Sequence, residues 1–178
     1  MSNDRAYGCL FCTTGKERFV AQRVEQVCPG IRAVAAILEK HKSVQGKKFR
    51  VEEILLPGYV FFEAPPDTAP GACLPREHVL RLLADEQGVW QLGGSDEAFA
   101  RWLFSYGGVL RFSKARREDG GWVQLLSGPL KDMEMQIVRF DRRGRSGQVR
   151  LVFNGHEQLT WLGFELIEDS QAGKEAAL

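Results

Sequence analysis

Cys9 and Cys12 stand at the two-residue spacing with which a pair of thiols exchanges a disulfide or opens a zinc site. The other cysteines, Cys28 and Cys73, form no second pair of that spacing, so no zinc set is completed. A redox dithiol usually stands at the start of a helix. Here it closes Ala6 to Cys12, a short, mostly apolar run that reads as a strand, so both thiols are expected to be structural and the four cysteines reduced. His41, His78 and His156 fall in different predicted elements. No metal-ligand spacing, phosphate-cradling glycine loop or nucleophile motif is present. No catalytic residue, metal or cofactor is therefore expected, and the chain does not read as an enzyme.

The chemistry that remains is charge. The chain has 178 residues and a formal net charge of +1, but the charges are segregated. Between Pro129 and Arg150 there are six basic residues (Lys131, Arg139, Arg142, Arg143, Arg145 and Arg150) against three acids. Just upstream, Arg111, Lys114, Arg116 and Arg117 face only Glu118. From Gly155 to Leu178 the balance reverses, with five acids and one lysine. Such segregation favours a directed contact with a polyanion. Each cation set against a phosphate releases counterions, and a guanidinium can bond phosphate through two nitrogens or stack on an exposed base. Arg142, Arg143 and Arg145 surround Gly144 and should project from a loop tip.

Hydrophobic patterning supplies the elements that position these groups. After the strand Ala6 to Cys12, Thr14 and Glu17 have capping-box spacing, and Phe19, Val20, Val24 and Val27 predict an amphipathic helix over Lys16 to Val27. Ala33 to Lys40 and Lys48 to Leu55 read as strands around a basic loop, His41 to Lys47. Pro57-Gly58 turns the chain into an aromatic strand, Tyr59 to Glu63. Pro75 as a first helical residue, followed by Val79, Leu80 and Leu83, predicts a second helix. Gly88 to Leu92 reads as a short strand. Ser95 should cap a third helix, whose Phe99, Trp102, Leu103 and Tyr106 recur at helical spacing. Val109 to Gly121 is charged and ends in Asp-Gly-Gly, the composition of a linker. Beyond it no helical period appears. Trp122 to Leu126, Met133 to Phe140, Gln148 to Phe153, Glu157 to Leu162 and Phe164 to Ile167 read as five short strands, with Asn154-Gly155 a strong hairpin signal. Closure into a small barrel removes their edges. No secretory signal or membrane-length apolar run is seen, and a cytoplasmic location with no membrane contact is expected.

Two stretches in this order resemble the NusG family. LLPGYVFFE (Leu55 to Glu63) is similar to the PGY-containing strand of that family's N-terminal domain, and GPLKDMEMQIVRFDRRGRSGQVRLVF (Gly128 to Phe153) resembles its KOW motif. VWQLGGS (Val89 to Ser95) falls where such domains carry a similar strand and Gly-Gly turn. The basic run and the closing WLGFELIED resemble the family's specialised paralogues, LoaP-type members first and RfaH-type members more distantly. The family pattern has glycine where this chain has Met135, and the family's histidine-threonine-threonine turn is here Cys12-Thr13-Thr14.

The resemblance implies an α+β chain: a ferredoxin-like α/β sandwich over residues 1–108, a linker over 109–121, an SH3-like five-stranded β-barrel over 122–168 and a tail over 169–178. It implies a monomeric transcription elongation or antitermination factor. Leu56, Tyr59, Phe62 and Trp90 would meet the clamp helices of RNA polymerase, and Thr13 and Thr14 the opposite side of the cleft. Lys114, Arg116, Arg117, Lys131, Arg142, Arg143, Arg145 and Arg150 would bind nucleic acid, a nascent RNA hairpin foremost. The non-template DNA strand is a further expected contact. The alternative is a KOW-type ribosomal-RNA-binding protein that acts without polymerase.

Overall fold

The computed structural model describes residues 4–167. The chain divides into two compact units, Met1–Ile37 with Glu53–Val109, and Leu38–Glu52 with Leu110–Leu178.

In the first unit, β1 (Ala6–Cys12), β2 (Arg32–Ala35), β5 (Tyr59–Ala64) and β6 (Val79–Leu82) form one sheet in the order β2-β5-β1-β6. Successive side chains of a strand point to opposite faces, and helices cover both. One face carries Leu10, Cys12, Val60 and Phe62, packed against Val20, Ala21 and Val24 of α1 (Glu17–Val27). The other carries Tyr7, Cys9 and Phe61 under α2 (Gly94–Ser105), with Phe61 against Phe99 and Tyr7 against Phe104, each pair 5.6 Å between centroids. Phe61 and Phe62 are both fully buried, one on each face. Burial on that scale contributes roughly 1.5–3 kcal/mol per side chain.

Several sequence expectations change in this unit. The segment after Pro75 is a strand, not a helix. β6 pairs antiparallel with β1, Leu10 opposite Leu82, and Val79 and Leu82 join the core while Leu80 stays exposed. Hydrogen bonds to an open sheet edge outweigh the weak helical spacing of three apolar residues. The capping box does not form: Lys16 occupies the cap position of α1 without a side-chain bond, and Glu17 turns elsewhere. The α2 cap falls on Gly93, two residues before Ser95, which lies inside the helix. Gly88 to Leu92 forms no strand: Gly88 sits at φ +81 in a turn with Asp85, whose N–H donates to the Val89 carbonyl, and Leu92 N–H donates to the Tyr7 carbonyl at 2.8 Å.

The run read as one strand, Ala33 to Lys40, is two. It breaks at Ala36 into β2 and β3 (Ile37–Val44), and β3 turns through Gln45-Gly46 into β4 (Lys47–Ile54). By contacts this hairpin groups with the second unit. There Phe112 lies between His41, stacked at 4.4 Å, and the Arg50 guanidinium at 5.3 Å, while Arg50 also pairs with Glu39 and Glu165. With β7 (Val109–Leu110) the hairpin makes a ribbon of order β4-β3-β7.

The second unit's main sheet contains β8 (Ser113–Arg117), β9 (Val123–Ser127), β10 (Ile137–Asp141), β11 (Ser146–Phe153) and β12 (His156–Leu166), in the order β10-β11-β12-β8-β9. The fold class is α+β, with a five-stranded barrel-like second unit as expected. Its membership differs in three places. The segment read as a linker supplies β8, whose Ser113 and Ala115 point inward, fully buried, between exposed Lys114 and Arg116. The outward charges hide an inward alternation of small residues. The stretch from Met133 follows a short helix, α3 (Pro129–Asp132), and passes through a 3-10 turn at Glu134–Gln136 before β10 starts. The last two expected strands are one, because Gly163 interrupts the apolar pattern without interrupting the ladder. Asn154 and Gly155, both at positive φ, close the β11–β12 hairpin as the type I′ turn requires.

Candidate functional site

In the first unit the surface of interest begins at a turn. Gly58 has φ +84, a conformation that favours glycine. Its N–H donates to Oε1 of Glu17 at 2.8 Å, and the same oxygen accepts from Gly15 N–H at 3.0 Å. Glu17 is buried, 1% exposed. Burial pushes its carboxyl up, but the backbone donors of Gly58, Glu17 and Gly15 together outweigh it and hold the acid below the usual range. The turn thus held delivers Tyr59 opposite Phe11, their rings edge-on at 5.4 Å, with the Arg81 guanidinium 5.6 Å over Phe11. Both rings lie on the α2 side of the sheet, two residues along from the Cys9–Phe61 pair that the helix covers, and both stay half-buried. Leu56, also half-buried, accepts the Tyr59 N–H at its carbonyl. The result is a short aromatic strip with a cationic edge.

Not all residues expected on this surface reach it. Phe62 is fully buried on the opposite face, and Trp90 stacks on it at 5.3 Å with its indole N–H donated to the Thr68 carbonyl. Both belong to the α1-side core. Strand parity separates Phe62 from Tyr59 by necessity, and Trp90 follows Phe62. Thr13 and Thr14 are exposed on the turn after β1, where Thr13 N–H donates to the His78 carbonyl. Phe11 was missed by sequence reasoning; its pairing with Tyr59 appears only once β1 and β5 are in register.

The cysteines are resolved in the same unit. Cys9 and Cys12 are free and buried, and burial, first of all, pushes both thiols up, Cys12 to about 11. Cys28 and Cys73, expected to be reduced, are joined by a disulfide, their Cα atoms 5.3 Å apart. Their 45-residue separation carries no local signal of pairing.

The second unit presents the basic surface. Asp141 Oδ1 accepts the Gly144 N–H at 2.8 Å and shapes the β10–β11 turn, on which Arg142, Arg143 and Arg145 are all exposed. The positive φ of this turn lies at Arg145, not at Gly144. The Arg142 guanidinium lies 4.8 Å over the Trp122 ring, and the Trp122 carbonyl accepts the Glu118 N–H just past β8. Trp122 thus links Arg142 of the turn to the strand end that carries Arg116 and Arg117. Lys114, Arg116, Arg117, Arg142, Arg143 and Arg145 have no ion-pair partner among the described residues. Lys131 and Arg150, expected in the same set, are paired instead, with Glu134 and Glu157. Met135 is 93% exposed on its 3-10 turn, and its φ is negative, so the backbone here does not require glycine.

No protein-family model matches the chain, and no curated protein matches it by sequence. Solved structures do. One, described as "Domain interaction in Thermotoga maritima NusG", is 19% identical, covers 90% of this chain and 94% of its own, and superposes with a TM-score of 0.51. The chain has the NusG fold. Its α/β first unit and barrel-like second unit correspond to the N-terminal and KOW portions of that architecture. The likeness extends to the fold and does not single out a LoaP-type or RfaH-type branch. Among the described residues no helix is long and apolar enough to cross a membrane.

Proposed function

We propose that this protein is a transcription elongation factor that docks on RNA polymerase through the Phe11–Tyr59 strip and binds nucleic acid through the arginines of its barrel unit. The observation that carries the reading is the strip itself. Two aromatic rings on a helix-covered sheet face lie beyond the covering helix, half-exposed, and a buried carboxylate fixes the turn that presents one of them. Aromatic side chains on a rigid strand, rimmed by an arginine, suit the apolar face of a partner helix. Clamp helices of the polymerase are the partner this reading names, with Leu56 at the rim and the exposed Thr13-Thr14 turn as a second contact.

The barrel's exposed turn arginines suit phosphate, and nascent RNA is the polyanion such a factor meets. Suppression of pausing or termination at selected operons, through a leader RNA or the non-template strand, is the activity that fits a specialised member of such a family. Affinity capture with purified RNA polymerase tests the first half: the chain is retained, and Tyr59→Ala abolishes retention. In vitro transcription with pause mapping tests the second: the protein shortens pauses. Binding to ribosomal RNA with no retention by polymerase overturns this reading in favour of a ribosomal KOW protein.

A further inference from the structure

The barrel carries two exposed tryptophans, and an arginine lies over each. Arg142 covers Trp122 at 4.8 Å, and Arg139 lies 6.0 Å from the Trp161 centroid. Trp122 nevertheless keeps 64% of its surface exposed and Trp161 37%. The second pair is set by register. Arg139 is opposite Gln148, and Gln148 opposite Trp161, so the three form a row across β10, β11 and β12. The strand's alternation puts that row on the outer face, away from buried Val149, Leu151 and Phe153. Arg139 and Arg142 are three residues apart, so their Cα atoms lie within roughly 11 Å. Arg143 and Arg145 stand on the same turn as Arg142, and the Trp122 carbonyl accepts the Glu118 N–H at the basic end of β8.

Trp161 shares its strand with exposed Leu159, and exposed apolar side chains gathered in this way mark an interaction surface. Exposed aromatic rings interleaved with unpaired cations are the composition of a single-strand platform, in which bases stack on rings while guanidinium groups meet phosphates. A duplex, whose bases already stack on one another, uses only the cations. We infer that Trp122 and Trp161 are stacking positions for the unpaired bases of a single-stranded nucleic acid. The inference rests on the nucleic-acid reading of the arginines and adds to it the strandedness of the ligand and two recognition residues.

The test is fluorescence anisotropy of the full chain with labelled 12-nucleotide single-stranded RNA, the same sequence as single-stranded DNA, and the corresponding blunt duplex. Single strands should bind more tightly than duplex, with the RNA and DNA arms identifying the preferred source. Trp122→Ala and Trp161→Ala should each weaken single-strand binding by about tenfold, leave duplex binding within twofold and leave the salt slope unchanged; the Phe variants should recover most of the loss. In a second measurement, 5-fluorotryptophan-labelled wild-type protein should show the fluorine signals of Trp122 and Trp161 shifting on addition of single strand while that of core Trp90 stays in place.

Single-strand affinity that the tryptophan variants leave intact, with unmoved fluorine signals, overturns the stacking assignment. If that same affinity falls in the triple Arg142, Arg143, Arg145 to Ala variant, the arginine reading survives alone. Absence of binding to every oligonucleotide overturns both and turns attention to a protein partner for the adjoining exposed Val152 and Leu159.

Discussion

The Glu17 carboxylate and the Gly58 N–H, 41 residues apart in sequence, meet at 2.8 Å inside the first unit. The bond joins the first turn of α1 to the turn that starts β5, so the position of Tyr59 depends on a helix residue that never reaches the surface. Glu17→Ala leaves two backbone donors without their acceptor and should cost about 2–3 kcal/mol, read from urea unfolding. Because the folded carboxyl is held below its ordinary range, its contribution is complete above the unfolded value and is lost as pH falls through the folded one. Stability of the wild type should therefore decline on acidification below about pH 4.5 more steeply than that of Glu17→Gln.

Tyr59→Ala and Phe11→Ala should each reduce polymerase affinity by about 30-fold or more, while their melting temperatures stay close to that of the wild type, since both rings are only half-buried. Trp90→Ala should do the reverse. It removes the ring stacked on Phe62 and its bond to Thr68, so it should lower the melting temperature strongly. A calorimetric scan beside each capture assay separates the two classes.

Replacing Arg142, Arg143 and Arg145 together by alanine should weaken nucleic-acid binding and flatten its salt dependence. Three lost phosphate contacts lower the slope of log affinity against log salt by about 2 for a single strand. Alanine at Lys131 or Arg150, each already paired with a glutamate, should change the slope far less.

The four cysteines should respond to reagents in two ways. Cys9 and Cys12 are buried with raised thiol values, so iodoacetamide at pH 8 should leave them unmodified until the protein unfolds. Reduction of Cys28–Cys73, or serine at both positions, should lower stability by about 2–4 kcal/mol. Mass spectrometry after alkylation reads the first outcome and denaturant unfolding with and without dithiothreitol the second.

Much of this was legible in the residues. Alternation and turn chemistry identified β1, β5, β11 and the Asn154-Gly155 hairpin, because each combines a strong apolar pattern with a turn residue of defined backbone preference. The charge of the Arg142–Arg145 turn was equally plain. What the sequence concealed was long-range pairing. β6 is a strand because β1 offers an edge, and β8 hides two inward residues behind its cations. Phe11, Trp122 and the Cys28–Cys73 bridge acquire meaning only from partners tens or more residues away. Parity was legible too: Phe62, three residues along the strand from Tyr59, belongs to the opposite face and cannot share its surface-facing aspect.

The break at Ala36 has a consequence for synthesis. The ribosome releases Leu38–Glu52 before most of the first unit, yet by contacts that segment groups with the chain from Leu110 onward. Each newly made molecule must therefore close its leading unit around an excursion still waiting for a companion. A truncation at residue 108 strands that excursion permanently, with Val44 and Phe49 already bare and the Phe112 side chain gone from between His41 and Arg50. Excising the halves as independent pieces should yield a leading fragment prone to self-association, whereas a leading fragment with a short Gly-Ser bridge in place of the excursion should remain dispersed.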